Sequence, residues 1–372
     1  MARTADRQRR RTACRRLIGA QTVIPPGSTI GILGGGQLGR MLAMAAAQLG
    51  YRCHIFDPQS DSIAAEVSAA FTCANWQDSE GLARFAGQCD IVTYEFENVP
   101  VAPLSALPSG KLAPSTRALE VAQDRLAEKR FVQDLGGRPA AFAPVDNAED
   151  LKAAIERIGL PGILKTRREG YDGKGQWRLQ SEEDAAAVPL EKGGLIYEGF
   201  VRFAAEFSVI LARTPNGEVC FWDSAENVHE GGILARSTLP AGPAVAAQVE
   251  EARALARKVA EALDYVGVLT LEFFATDEGP VFNEMAPRVH NSGHWSIEGA
   301  VTSQFENHIR AICGLPLGDT ALTATPVVMR NLLGEDMGKV DALLADPRAH
   351  LHLYGKADIR KGRKMGHVTQ VG

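Results

Sequence analysis

A glycine-rich turn between a short apolar strand and a helix is the feature that most restricts how this chain can fold. Residues 29–33 predict the strand, Gly34-x-Gly36-x-x-Gly39 forms the turn, and an Ala- and Leu-rich helix is expected after it. Further strands are expected at residues 53–56 and 90–94. Alternating strands and helices are typical of a parallel sheet that helices cover on both faces. Residues 28–120 are therefore predicted to form a first α/β domain.

The same turn has the spacing of a dinucleotide-binding site. Asp57 ends the next predicted strand, 18 residues after Gly39. In such a site the glycines let a pyrophosphate approach the helix N-terminus, and the acid binds ribose hydroxyls. The pattern alone favours an NAD-dependent oxidoreductase. Two alternatives remain open, because a monophosphate can use the same turn and glycines also serve tight packing.

A second glycine-rich loop, residues 170–176, lies between two predicted strands. It lacks the G-K-[ST] ending of a phosphate-binding P-loop, and the segment after it reads as a strand. We expect a lid, with Lys165 at the end of the preceding strand reaching nucleotide phosphates. The alternative is a solvated basic turn.

Two glutamates are predicted to face each other across a hairpin. A three-residue turn at residues 277–279 would pair Thr276 with Pro280, and hence Glu272 with Glu284. The Cβ atoms of cross-strand partners lie about 5 Å apart, so two buried carboxylates there require a cation between them or a proton on one of them. Hard oxygen ligands near phosphates favour Mg²⁺, with Mn²⁺ as the alternative. A one-residue slip in register would remove this juxtaposition.

Polar residues that suit an oxygen-rich anion follow the hairpin. Arg288, His290, Asn291 and Ser292 lie within five residues, and a basic run extends over residues 356–367. His290 and His294 have the spacing of a zinc pair, but the loop-forming residues between them and the missing H-E-x-x-H pattern argue against zinc.

Charge and cysteine usage exclude several classes of protein. The net charge is -5, yet the first 20 residues hold seven Arg and one Asp, so the rest of the chain is acidic. An acidic body does not attract nucleic acid or membrane surfaces. Residues 1–27 are predicted as a basic, disordered extension, with a transit peptide as the alternative. The six dispersed cysteines and the lack of a long apolar run predict a cytoplasmic protein without a membrane span.

The motifs GGGQLGRM, TYEFENVP, KTRREGYDGKGQW, ENVHEGGIL and NEMAPRVHNSGHW together resemble the N5-carboxyaminoimidazole ribonucleotide synthases, ATP-grasp ligases of purine biosynthesis. The resemblance implies that ATP, bicarbonate and 5-aminoimidazole ribonucleotide are converted through carboxyphosphate to N5-carboxyaminoimidazole ribonucleotide, ADP and phosphate. It also implies a homodimer and no use of NAD. Three alternatives stay open: another ATP-grasp ligase, a non-catalytic nucleotide-binding regulator, and the NAD-dependent oxidoreductase.

The resemblance implies a mixed α/β and α+β architecture. A Rossmann-like pre-ATP-grasp domain (28–120) precedes an ATP-grasp domain (121–315), which has a lid lobe (136–200) and a metal-binding lobe (201–315). A small substrate-binding domain (316–372) ends the chain.

By the same resemblance, Lys165, Arg288 and Glu284 are the catalytic residues, and Glu272 and Glu284 bind the metal. The implied ATP site consists of Arg125, Lys165, Gly170, Tyr171, Asp172, Gly173, Lys174, Gly175, Gln176, Glu198, Gly199, Phe200, Val201, Glu206, His229, Asn283 and Glu284. The implied ribonucleotide site consists of Gln37, Leu38, Glu95, Tyr171, Asp172, Arg288, His290, Asn291, Ser292, Lys356, Arg363 and Lys364.

Overall fold

The structure is a computed structural model that describes residues 17–18, 21–170, 175–190 and 193–372 of the 372-residue chain. Its strands are β1 (Leu17–Ile18), β2 (Gln21–Thr22), β3 (Thr29–Leu33), β4 (Arg52–Asp57), β5 (Ala70–Cys73), β6 (Ile91–Tyr94), β7 (Phe142–Val145), β8 (Gly162–Thr166), β9 (Gln176–Leu179), β10 (Leu195–Gly199), β11 (Ala205–Arg213), β12 (Val219–Phe221), β13 (Glu226–Glu230), β14 (Ile233–Leu239), β15 (Gly267–Thr276), β16 (Gly279–Ala286), β17 (Val327–Leu333), β18 (Ala349–Leu353) and β19 (Lys364–Val371).

Helices connect these strands. They are α1 (Gln37–Gln48), α2 (Ser79–Gly87), α3 (Thr116–Ala122), α4 (Arg125–Asp134), α5 (Ala148–Ile158), α6 (Glu182–Ala186), α7 (Pro243–Ala246), α8 (Val249–Ala262), α9 (Ser296–Gly299), α10 (Gln304–Ile312) and α11 (Val340–Leu344). Short 3-10 turns lie at Ala65–Val67, Ala102–Ala106, Asn291–Gly293 and Gly334–Lys339. Across the described ranges, no helix is both long and apolar enough to span a membrane.

The first sheet is parallel, as the alternating strands and helices predict. Its order is β5-β4-β3-β6, and β3 lies between β4 and β6. Leu42 of α1 packs in one apolar cluster with Ile32, while Phe85 of α2 packs in another with Leu33. Helices therefore cover both faces of this sheet, because neighbouring residues of β3 point to opposite sides.

A second, antiparallel sheet of four strands forms the lobe that carries the glycine-rich loop. Its order is β7-β10-β8-β9. Leu151 and Ala154 of α5 pack against Val145, Leu164 and Tyr197 of the sheet. This lobe thus has a small apolar core of its own.

The largest sheet has nine strands and contains the predicted hairpin. Its order is β16-β15-β11-β13-β14-β17-β19-β18, and β12 pairs with β11. Its last three strands come from residues after 326, so the C-terminal segment continues the sheet of the preceding lobe. The apolar residues of the segment 248–263 have helical spacing, which predicts an amphipathic helix there. Helix α8 confirms this prediction and packs on the sheet through Ala256 and Val259.

Three details differ from the sequence predictions. The sequence predicts a helical stretch from about Thr116 to Leu135 that ends at two glycines. The structure divides this stretch into two helices, because the Asp124 carboxylate accepts from the amides of Leu126 and Ala127 and starts a new helix. The predicted extension 1–27 is wrong at its end, since Val23 is buried and the Ile24 amide donates to the Cys313 carbonyl at 3.0 Å. Residues 1–16 and 19–20 lie outside the described residues.

The predicted hairpin register is also wrong at the turn. Thr276 pairs with Gly279 across a two-residue turn, and Phe273 pairs with Phe282. The register then shifts, and Leu271 pairs with Met285. A bulge in β16 therefore places both Asn283 and Glu284 opposite Glu272.

Candidate active site

The first cavity, of about 390 Å³, lies between the four-stranded antiparallel sheet and the nine-stranded sheet. Strands β8, β9 and β10 form one wall, and β11, β13, β15 and β16 form the opposite wall. The residues of the implied ATP site that line it are Arg125, Lys165, Gln176, Glu198, Gly199, Phe200, Val201, Glu206, His229, Asn283 and Glu284.

A buried charge cluster lies at this cavity. The Glu198 Oε2 atom is 3.0 Å from the Lys165 Nζ atom and 3.2 Å from the Lys129 Nζ atom, so two ammonium groups share one carboxylate. Burial alone would raise the pKa of Glu198, but the two lysines more than offset it and lower the pKa to about 2. Burial also lowers the pKa of Lys165. The cluster carries excess positive charge, which suits an anionic ligand.

Two other contacts shape the same cavity. The His229 Nδ1 and Glu206 Oε2 atoms lie 2.5 Å apart. Burial opposes protonation of His229, yet the contact with Glu206 and the nearby Glu272 raise its pKa overall. The rings of Phe203 and Phe274 stack at 4.7 Å and both line the cavity, so an aromatic base has a flat apolar surface to pack on.

The second cavity, of about 710 Å³, lies between the first domain and the nine-stranded sheet. The residues of the implied ribonucleotide site that line it are Gln37, Leu38, Glu95, Arg288, His290, Asn291 and Lys364. The Arg288 Nη2 atom donates to the Glu97 Oε2 atom at 2.6 Å. Burial, Arg288 and Lys364 together hold the pKa of His290 well below its usual range, so this ring is neutral at pH 7.

The two cavities share a wall. Its residues are Arg125, Glu272, Glu284, His290, Asn291 and Lys364. Both polar atoms of the Asn291 amide are buried without a protein hydrogen-bond partner. Because such atoms are costly to leave unpaired, this amide marks a place where a ligand is expected.

The two carboxylates in the shared wall have pKa values that are shifted in opposite directions. Burial and the neighbouring Glu284 raise the pKa of Glu272. Burial acts on Glu284 in the same direction, but the Arg125 guanidinium, whose Nη1 atom donates to Glu284 Oε2 at 2.9 Å, lowers its pKa overall. Two facing carboxylates with one raised pKa form an oxygen donor set that a divalent cation would neutralise. The pair thus fits Mg²⁺.

The pair would need further ligands from a bound molecule. Among the described residues, no group of three His, Cys, Asp or Glu side chains could hold a metal ion. Proteins usually bind Mg²⁺ through only one or two carboxylates, and nucleotide phosphates and waters complete its coordination.

Several residues of the implied sites line neither cavity. The Gly175 carbonyl accepts from the Thr166 amide at 2.9 Å, and the Ser292 hydroxyl contacts the His290 ring at 2.8 Å. The Arg363 Nη1 atom donates to the Asp358 carboxylate at 2.9 Å.

Two further implied residues lie near the cavities. Lys356 donates to the Lys364 carbonyl at 2.8 Å, beside the shared wall. Gly170 lines the second cavity, although it belongs to the implied ATP site. Tyr171, Asp172, Gly173 and Lys174 lie outside the described residues.

The N-terminal glycine turn is occupied by the protein's own acids. The Gly35 amide donates to Asp57 Oδ2 at 2.7 Å, and the Gly36 amide donates to Glu95 Oε1 at 2.8 Å. A Cβ atom at Gly34 would lie 2.7 Å from Glu95 atoms. These amides are the groups that a dinucleotide pyrophosphate would use, so the turn serves close packing of two carboxylates.

Two buried residues of α4 were not predicted from the sequence. Glu128 and Lys129 are 2% and 1% exposed, and both contact β16. The signal for them was present, because they follow Arg125 by three and four positions and so lie on the same face of the helix. Arg178, Phe203 and Phe274 of the first cavity were also missed.

Three family models match the chain. Residues 28–123 match the ribonucleotide synthetase preATP-grasp domain, residues 130–305 match the ATP-grasp domain, and residues 327–372 match the phosphoribosylaminoimidazole carboxylase C-terminal domain. Together they account for most of the described structure.

Full-length relatives point the same way. An N5-carboxyaminoimidazole ribonucleotide synthase of Brucella melitensis is 51% identical over 357 residues, covering 94% of this chain and 98% of the relative. The crystal structure of N5-carboxyaminoimidazole ribonucleotide synthetase from Thermus thermophilus has a TM-score of 0.86 at 51% identity, covering 92% of this chain and 93% of that one. The Aspergillus clavatus N5-carboxyaminoimidazole synthase in complex with ADP and 5-aminoimidazole ribonucleotide has a TM-score of 0.84 at 31% identity, covering 93% and 94%.

Proposed function

The chain belongs to the N5-carboxyaminoimidazole ribonucleotide synthases, and from this membership we propose that it carboxylates 5-aminoimidazole ribonucleotide with bicarbonate and ATP. It is an ATP-grasp ligase of purine biosynthesis. The observation that carries the proposal is the wall shared by two cavities, which holds Arg125, Glu272 and Glu284. A reaction that joins two bound substrates requires their reactive ends to be held close together, and this wall is where the two cavities meet.

ATP is proposed to occupy the first cavity. Support comes from the stacked Phe203 and Phe274 rings for the adenine, from Glu206 for the ribose hydroxyls, and from Lys165 for the phosphates. Phe200 and Val201 follow β10 and line the same cavity, so their main-chain groups can pair with the base edge. The excess positive charge around Glu198 suits the polyphosphate.

Mg²⁺ is proposed to bind Glu272 and Glu284. The facing carboxylates supply hard oxygen ligands, and the raised pKa of Glu272 reflects a charge that a cation would offset. When bound, the ion would stabilise negative charge on the transferred phosphoryl group.

The ribonucleotide is proposed to occupy the second cavity. Arg288 and Lys364 supply positive charge, and the buried amide of Asn291 supplies both a donor and an acceptor. Gln37 and Leu38, at the start of α1, line the side of this cavity that the first domain contributes. A site built from three parts of the chain suits a ligand with a base, a ribose and a phosphate.

The proposed chemistry has two steps. A bicarbonate oxygen attacks the γ-phosphorus of ATP, the bond to the β-phosphate oxygen breaks, and ADP leaves as carboxyphosphate forms. The amine of the ribonucleotide then attacks the carboxyl carbon, phosphate leaves, and the amine loses a proton. Lys165 and Arg288 offset the repulsion between the anionic groups, while Arg125 holds Glu284 and also donates to the Gly170 carbonyl at 3.1 Å. The loop that starts at Gly170 therefore begins at the reaction centre.

The proposal also includes a cellular location and an oligomeric state. A cytoplasmic location is supported by the dispersed cysteines, of which Cys53, Cys73, Cys89, Cys220 and Cys313 are unpaired thiols. A homodimer is proposed from family membership, and sedimentation velocity tests it.

Measurement of ADP release tests the function. Release should require both bicarbonate and 5-aminoimidazole ribonucleotide for its full rate. If neither compound stimulated it, the protein would be a different ATP-grasp ligase or a non-catalytic nucleotide-binding protein.

A further inference from the structure

One helix holds three consecutive residues of the bulged strand. Strand β16 ends the nine-stranded sheet, and on its outer side a single parallel bridge pairs Phe282 with Pro139, with the Phe282 amide donating to the Arg138 carbonyl at 2.8 Å. The first two turns of α4 cover the next part of that side, residues 283–285. Three side chains of the helix meet Asn283, Glu284 and Met285 in turn.

Each contact uses a different group. The Lys129 Nζ atom donates to the Asn283 carbonyl at 3.0 Å, the Arg125 Nη1 atom donates to Glu284 Oε2 at 2.9 Å, and the Met285 amide donates to Glu128 Oε1 at 2.6 Å. Glu128 and Lys129 are almost fully buried, so their polar atoms depend on these partners. The contacts therefore fix both the main chain and the side chain of the bulge.

The bulge decides which way Glu284 points. Without it, the pairing of Phe273 with Phe282 would continue, and Leu271 would lie opposite Glu284. Directly opposed residues share a face of a sheet, and neighbours along a strand do not. Glu284 would then lie on the face of Leu271, away from Glu272. The extra residue moves Glu284 to the face of Glu272.

We propose that Glu128 and Lys129 are positioning residues that hold this bulge, and thereby keep Glu284 facing Glu272 as a pair able to bind a divalent cation. The proposal rests on the proposed function for the metal itself. Neither residue belongs to the implied ATP, ribonucleotide or metal sites. Lys129 also reaches Glu198, with 3.2 Å between Nζ and Oε2, so it ties the bulge to the charge cluster of the first cavity.

The test compares variants that keep or remove one hydrogen bond. Glu128→Met keeps an unbranched side chain but removes the acceptor, whereas Glu128→Gln retains an acceptor oxygen. Lys129→Met removes the donor to Asn283, and Arg130→Met is its matched control, because Arg130 is exposed on the same helix. Circular dichroism and a melting curve establish that each variant is folded.

Two readouts follow in the full-length protein. The first is hydrogen exchange of the Met285 amide without ligands, which should be at least about tenfold faster in Glu128→Met and close to wild type in Glu128→Gln. The second is Mn²⁺ affinity in the presence of a non-hydrolysable ATP analogue, measured as free Mn²⁺ by electron paramagnetic resonance. This affinity should fall about 10- to 100-fold in Glu128→Met and Lys129→Met, and remain unchanged in Arg130→Met.

The outcomes separate the proposal from the metal site. Wild-type Mn²⁺ affinity and slow Met285 exchange in Glu128→Met and Lys129→Met would overturn the positioning role and leave the metal site standing. Equal losses in Glu128→Met and Glu128→Gln would overturn the hydrogen-bond role of Glu128. If wild-type protein bound no Mn²⁺ with the analogue, the metal assignment would fall, and the positioning role with it. If Glu128→Met did not fold, the Lys129→Met and Arg130→Met pair would decide.

Discussion

The Glu198 carboxylate offers the sharpest energetic prediction. It neutralises two buried ammonium groups, and its side chain is only 5% exposed. Its pKa of about 2, against an ordinary 4.5, corresponds to about 3 kcal/mol of stabilisation of the ionised form in the folded state. Removing one member of a buried ion pair typically costs about 3–5 kcal/mol. We expect Glu198→Gln to lower the free energy of unfolding by about 3 kcal/mol at pH 7.

The pH dependence of this effect has a definite sign. Because the folded-state pKa of Glu198 is lower than its ordinary value, its contribution is fully present above pH 4.5 and is lost as the pH falls toward 2. The difference between wild type and Glu198→Gln should therefore be constant from pH 6 to 8 and shrink below pH 4.5. Urea unfolding followed by tryptophan fluorescence measures it.

Two variants control the measurement. Glu261→Gln makes the same chemical change on an exposed helical residue and should stay within about 0.5 kcal/mol of wild type. Lys129→Met added to Glu198→Gln should recover part of the loss, because it removes a buried charge left without a partner. A loss below about 1 kcal/mol in Glu198→Gln at pH 7, or no recovery in the double variant, would show that Glu198 does not stabilise the fold by neutralising the two lysines.

Further predictions concern the ligands. Glu284→Gln should reduce ADP release by about 100-fold or more while the circular dichroism spectrum stays unchanged; near-normal turnover would remove Glu284 from the metal site. Asn291→Ala should raise the KM for 5-aminoimidazole ribonucleotide about tenfold, because the ligand loses its hydrogen bonds to the amide. Initial rates at varied ribonucleotide concentration measure this KM, and an unchanged value would contradict the role of Asn291. NADH fluorescence should not change on addition of protein, since Asp57 and Glu95 already bind the glycine-turn amides; a saturable change would restore the dinucleotide interpretation.

The strands and helices around the site could be predicted from the sequence more accurately than the register in which the strands pair. Strand β3 and helix α8 follow directly from apolar periodicity, and the structure confirms both. The prediction that Glu272 and Glu284 face each other used the wrong turn length, because the predicted three-residue loop is a two-residue loop. The bulge at Asn283 shifts the register by one residue and so compensates for that error. No local residue pattern predicts this bulge, because bulges depend on what the strand packs against.

The glycine turn shows why a motif alone did not settle function. Its spacing matches a dinucleotide site, but the acids that fill it come from Asp57 at the end of β4 and Glu95 just after β6. Only the parallel sheet brings these three chain segments together. The helical spacing of Glu128 and Lys129 from Arg125 places the three on one face of a helix, but it does not show that they are buried, because the partners that bury them lie about 155 residues away in sequence.

The fate of a bicarbonate oxygen shows whether the two cavities carry a phosphoryl transfer to bicarbonate followed by attack of the amine. Turnover with ¹⁸O-labelled bicarbonate, ATP and 5-aminoimidazole ribonucleotide should place one labelled oxygen in each inorganic phosphate released, because the oxygen that attacks the γ-phosphorus leaves with it. Mass spectrometry of the phosphate reads this out. Unlabelled phosphate formed at the rate of carboxylated product would contradict the mechanism.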